Sequence, residues 1–87
     1  VRILLVEDEA ALRETLAARL KRDGYAVDVA ADGEEGLYLG KEVPFDVAII
    51  DLGLPRMSGM DLVTELRKAG RKYPILILTA RAGWQDK

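Results

Sequence analysis

The chain has 87 residues, 49% of them apolar and 32% charged, with a net charge of −2. One domain with a small core is the most it can form, since chains near this length bury roughly 60 to 65% of their unfolded surface. With no cysteine and no histidine it has no disulfide, thiolate metal site or imidazole catalysis, and the slight acidic balance gives no basic footprint for nucleic acid.

Apolar runs alternate with helical patterns along the chain. Ile3–Val6 is a short continuous apolar run, as in a strand covered on both faces, and it stops at Glu7-Asp8-Glu9. Leu12, Leu16 and Leu20 then recur at a spacing of four, with Glu9 in the first turn, Lys21 and Arg22 in the last and Gly24 as the stop; this predicts an amphipathic helix. Residues 26–30 (AVDVA) alternate in part and read as an edge strand. Asp32 followed by Glu35 resembles a capping box and opens a helix through Leu37 and Leu39, weakened by Gly36 and Gly40.

Val47–Ile50 is the third strand and delivers Asp51 into a loop ending at Pro55. Ser58 is an N-cap for a helix carrying Leu62, Val63 and Leu66 and stopping at Gly70, and Ile75–Leu78 is the fourth strand, ending at Thr79. A further helix starts around Trp84 to Lys87. No apolar run approaches the roughly 20 residues of a membrane span and no signal peptide is recognisable, so the expected compartment is the cytoplasm.

The order βαβαβαβ with short connections predicts an α/β fold: a doubly wound parallel sheet with helices on both faces. In such sheets sites form beyond the carboxyl ends of the strands, where strand order reverses. Asp8, Asp51 and Thr79 all lie at such ends. If the first and third strands are neighbours, Asp8 and Asp51 stand close together, and carboxylates 5 Å apart repel by roughly 3 kcal/mol at an effective dielectric near 20. A hard divalent cation offsets that repulsion with oxygen ligands.

The residues ILLVEDE at the first strand, DLGLPRMSGMDLV around the third and PILILTARAGWQDK around the fourth resemble the receiver domains of bacterial two-component response regulators. The subfamily is the one related to OmpR and PhoB, and PhoP-type regulators in particular. The resemblance spans all 87 positions. It implies a flavodoxin-like (CheY-like) sheet of order 2-1-3-4, and Mg2+-assisted transfer of a phosphoryl group from a sensor histidine kinase to an aspartate of the receiver. By position Asp51 resembles the phosphoacceptor. Asp8, Asp51 and the Gly53 backbone carbonyl resemble metal ligands, with Glu7 contributing through water. Thr79 resembles the switch hydroxyl, with small Ala80 after it at the phosphoryl group. Ala11, Leu12 and Thr15 fall where the first helix docks a kinase, and Lys87 resembles a fourth-helix lysine of the dimer face.

The resemblance also implies absences. The family's fifth strand, its Lys-Pro, its last helix and the dimer face they complete have no counterpart in residues 1–87, and neither does the winged-helix domain through which the subfamily binds DNA. The expectation is the N-terminal part of a receiver, switching dimerisation and transcription in a longer protein, with self-association of this chain through the exposed fourth strand. Self-phosphorylation of this kind is single-turnover rather than conventional enzyme activity. The alternative is a degenerate receiver that only docks a kinase.

Taken singly, each residue has an ordinary structural reading. Glu7-Asp8-Glu9 suits a solvated strand end, Asp51 a cap, Thr79 a β-former, and Arg56, Met57 and Met60 loop or helix packing. A haloacid-dehalogenase-like phosphatase needs a second aspartate where Gly53 stands. A dinucleotide site needs glycines that 3-ILLVEDEA-10 lacks.

Overall fold

The computed structural model describes residues 1–78, in the order β1 (Arg2–Val6), α1 (Ala10–Arg22), β2 (Ala26–Ala30), α2 (Gly33–Glu42), β3 (Val47–Asp51), α3 (Gly59–Lys68) and β4 (Ile75–Leu78). Thr79, Ala80, Trp84 and Lys87 lie outside the described residues. All three strand pairings are parallel, as the alternation of elements predicts, and the order is β2-β1-β3-β4, as the resemblance implies. The first crossover moves to one side of β1 and the second to the other. Strand order therefore reverses between β1 and β3.

The helix ends follow local chemistry. Asp32 accepts the Glu35 N–H at 2.8 Å and the Glu35 carboxylate accepts the Ala31 N–H at 3.0 Å, so α2 starts on a reciprocal cap. Ser58 Oγ accepts the Asp61 N–H at 3.1 Å and opens α3. Gly24 and Gly70, at φ 99° and 84°, end α1 and α3 in the left-handed conformation that glycine adopts most cheaply. Glu9 differs slightly from expectation. It is the N-cap of α1 rather than a first-turn residue, and its side chain makes no capping bond.

The core lies on one face of the sheet. Leu4 and Val6 of β1 and Ala48 and Ile50 of β3 meet Leu62 and Leu66 of α3, with Phe45 closing one end. The glycines that weaken α2 as a helix serve this packing: a Cβ at Gly40 would stand 2.6 Å from Leu66 Cδ2, and the Tyr73 hydroxyl donates to the Gly40 carbonyl at 2.9 Å. Ile3 and Leu5 alternate to the other face and are buried as well, where α1 packs over β1 and β2.

Within α1 only Ala17 is buried, and Leu12, Leu16 and Leu20 are half-buried. Their stripe is shallower than its spacing suggests because α1 is the one helix on its face among the described residues. β4 forms the margin of the described sheet, with Leu76 57% and Ile77 39% exposed on opposite faces. Met60 is exposed too, against the expectation that it packs.

The two faces should respond differently to truncation. Leu66→Ala, at a fully buried site, is expected to cost about 2 to 5 kcal/mol in chemical denaturation. Leu76→Ala should stay within about 0.5 kcal/mol of the parent.

Candidate functional site

The register of β1 against β3 builds the site. Val6 pairs with Ile50, so the next residues along the two parallel strands, Glu7 and Asp51, stand side by side. Asp8 follows directly, and one carboxylate oxygen from each of Glu7, Asp8 and Asp51 lies within 4.8 Å of the other two. Glu7 and Asp51 are 2% and 4% exposed. At that spacing each ionised pair repels by roughly 3 kcal/mol at an effective dielectric near 20.

Backbone bonds hold the acids in place despite this. The Glu7 N–H donates to the Ala30 carbonyl at 3.0 Å, which extends the β1–β2 ladder by one residue. The Glu7 carboxylate accepts the Glu9 N–H at 3.0 Å, and the Arg13 guanidinium donates to the Glu7 carbonyl at 2.9 Å. On the other strand, the Gly59 N–H donates to the Leu52 carbonyl at 3.0 Å, and a Cβ on Gly59 would collide with the Asp51 carbonyl and stand 2.7 Å from Leu52 Cα. The start of α3 is thus seated directly against the end of β3.

Burial pushes the Glu7 carboxyl above its ordinary value, the charge of Asp51 and the hydrogen bond and charge of Asp8 add to the shift, and the Glu9 N–H opposes it. An all-oxygen set of three converging carboxylates, two of them buried, fits a hard divalent cation. The donor chemistry favours Mg2+ or Ca2+ over softer metals.

Glu7, Asp8 and Asp51 are therefore brought together as the sequence reading expects. Gly53 is exposed in the loop two residues after Asp51. Ala11, Leu12 and Thr15 lie on the first half of α1, with Ala11 and Thr15 exposed and Leu12 half-buried. Thr79, Ala80 and Lys87 fall outside the described residues. Sequence reasoning missed two arginines that hold the surrounding loops, Arg13 and Arg56.

The family model described as "response regulator receiver domain" matches residues 3–87. The chain belongs to that family. Over its whole length this receiver is 56% identical to the two-component response regulator PhoP of Pseudomonas aeruginosa and 47% identical to the virulence transcriptional regulatory protein PhoP of Salmonella typhimurium. It spans 39% of the length of each.

Among solved structures, the HemR receiver of Leptospira biflexa is 44% identical at a TM-score of 0.85, covering 98% of this chain and 68% of its own. The receiver of a sensor histidine kinase from Pseudomonas aeruginosa, solved with a magnesium ion coordinated in its active-site cleft, is 34% identical at a TM-score of 0.88, covering 98% of this chain and 71% of its own. The doubly wound, CheY-like receiver fold is thus shared, and no helix among the described residues is long and apolar enough to cross a membrane.

The raised Glu7 carboxyl makes stability depend on pH in a definite direction. Folding favours the protonated form, so its contribution is fully present below the ordinary value of 4.5 and is lost as pH rises through the higher folded value. Glu7→Gln keeps an acceptor for the Glu9 N–H and removes the charge. In the metal-free receiver it should raise the thermal midpoint at pH 7 to 8, and the gain over the parent should vanish on acidification below 4.5.

Proposed function

We propose that this receiver takes a phosphoryl group onto Asp51 from the phosphohistidine of a sensor kinase, with Mg2+ held by Asp8, Asp51 and the Gly53 carbonyl and with Glu7 contributing through water. The observation that carries the proposal is the meeting of three carboxylates from two strand ends within 4.8 Å at the point where strand order reverses. The bound magnesium of the similar kinase receiver supports the choice of metal.

Phosphoryl transfer asks for an in-line nucleophile and stabilised charge more than for covalent machinery. A carboxylate oxygen of Asp51 attacks phosphorus, the P–N bond to the donor imidazole breaks, and the electron pair stays on the departing nitrogen. Asp51 needs no general base, because a carboxylate is already the nucleophile. When bound, Mg2+ supplies positive charge to the carboxylates and to the phosphoryl oxygens. The strand end fixes the direction of attack, and burial keeps bulk water from competing. In this proposal the Thr79 hydroxyl and the Ala80 N–H meet the phosphoryl oxygens. The transfer is a single turnover.

Ala11, Leu12 and Thr15 on α1 are proposed to meet the kinase. In the longer protein suggested by the PhoP relatives, phosphorylation would switch a cytoplasmic homodimer, with Lys87 on the dimer face, and DNA would be bound by a separate C-terminal domain. The β4 margin, apolar on both faces, supports self-association of the 87-residue chain.

Mass spectrometry after incubation with acetyl phosphate and Mg2+ should show a single phosphoryl addition that Asp51→Asn abolishes. Addition to the Asn variant would mean that Asp51 is not the acceptor, and no addition to the parent would favour a docking module without phosphoryl chemistry. Size-exclusion chromatography of the 87-residue chain should show an oligomer, and a stable monomer would contradict self-association.

A further inference from the structure

Arg56 has φ 71°, the left-handed conformation, and among the described residues it is the one non-glycine there. A left-handed arginine is conformationally unfavourable, so something in the fold must hold it. Its guanidinium reaches across to the start of α2, with Nε 3.5 Å from Asp32 Oδ2 and Nη1 3.4 Å from Glu34 Oε1. Asp32 is at the same time the α2 cap, through its other oxygen.

The backbone beside Arg56 is docked on the same helix end. The Gly33 N–H donates to the Pro55 carbonyl at 3.4 Å, and a Cβ on Gly33 would fall on the carbonyl and side chain of Met57. Two ion pairs, one backbone bond and a glycine contact thus converge on a seam between the β3–α3 loop and the α2 N-terminus. At its other end this loop begins at Asp51 and contains Gly53.

We propose that Arg56 is a positioning residue for the acidic site: its ion pairs to Asp32 and Glu34 hold the loop that carries Asp51 and the Gly53 carbonyl against α2, and so set the affinity for the divalent cation. This rests on the metal reading of Asp51 and its loop. Charge and position make opposite demands, which gives the proposal a sign. Removing a cation near an acidic pocket should by charge alone tighten Mg2+ binding, whereas releasing the loop should weaken it.

The test uses the 87-residue chain with Arg56→Ala, Arg56→Gly and Arg56→Lys, read by two measurements. The first is amide hydrogen exchange at Gly33 and Gly59 without metal, and the second is calorimetric titration with Mg2+. Arg56→Ala and Arg56→Gly should both speed exchange at Gly33 and raise the Mg2+ Kd by about three- to tenfold, with Arg56→Lys near the parent. Unchanged exchange, or a Kd that stays the same or falls, overturns the proposal. Parent-like behaviour of Arg56→Gly beside a defective Arg56→Ala also overturns it, because backbone conformation and not ion pairing would then hold the loop. A parent that binds no Mg2+ overturns the metal reading itself, and the exchange data then report the seam alone.

Discussion

The structure depends on the confrontation of Glu7, Asp8 and Asp51 at the ends of two neighbouring strands. Parallel pairing of β1 with β3 makes it unavoidable: once Val6 is set opposite Ile50, the next step along each strand ends in an acid. The fold resists the repulsion with covering helices and with backbone bonds to Glu7 and Leu52, and the resulting oxygen-rich pocket suits a small hard cation. Stability and the proposed phosphoryl chemistry therefore meet at the same few atoms.

The rest of the molecule supports this pocket unevenly. The α2–α3 face is closed by Leu62, Leu66 and Phe45 and carries most of the buried apolar surface, while α1 covers its own face as a shallow stripe. The deep core lies behind β3 and holds Asp51 from the strand side. The loop beyond Asp51 is held from the helix side, by Gly59 against the strand end and by Arg56 and Gly33 at the α2 seam. Asp51 is thus braced by apolar packing on one side and by polar contacts on the other, and solvent and salt weaken these two kinds of contact differently.

Much of this was legible in the sequence because it is written in local patterns. Continuous apolar runs marked the strands, Asp32 with Glu35 and Ser58 marked two caps, and Gly24 and Gly70 marked two helix ends. Asp8 and Asp51 stood out as acids at strand ends. What escaped was fixed at longer range. The Arg56 bridge spans more than twenty positions and a backbone angle that its neighbours do not announce. Gly40 looked like a flaw in a helix until Leu66 and Tyr73 were seen to occupy the space a side chain would take. Met60, apolar by composition, faces solvent.

The central place of β1 has a consequence for how the protein is made. β1 lies between β2 and β3, so during synthesis one of its edges stays unpaired until residue 51 has been made, a wait of roughly 2 to 9 s at ordinary elongation rates. Only then do Glu7 and Asp8 meet Asp51. The nascent chain can assemble its first β–α–β unit without this electrostatic opposition, and the charge conflict arises at the second crossover, before Leu62 and Leu66 of α3 have been made to close over it.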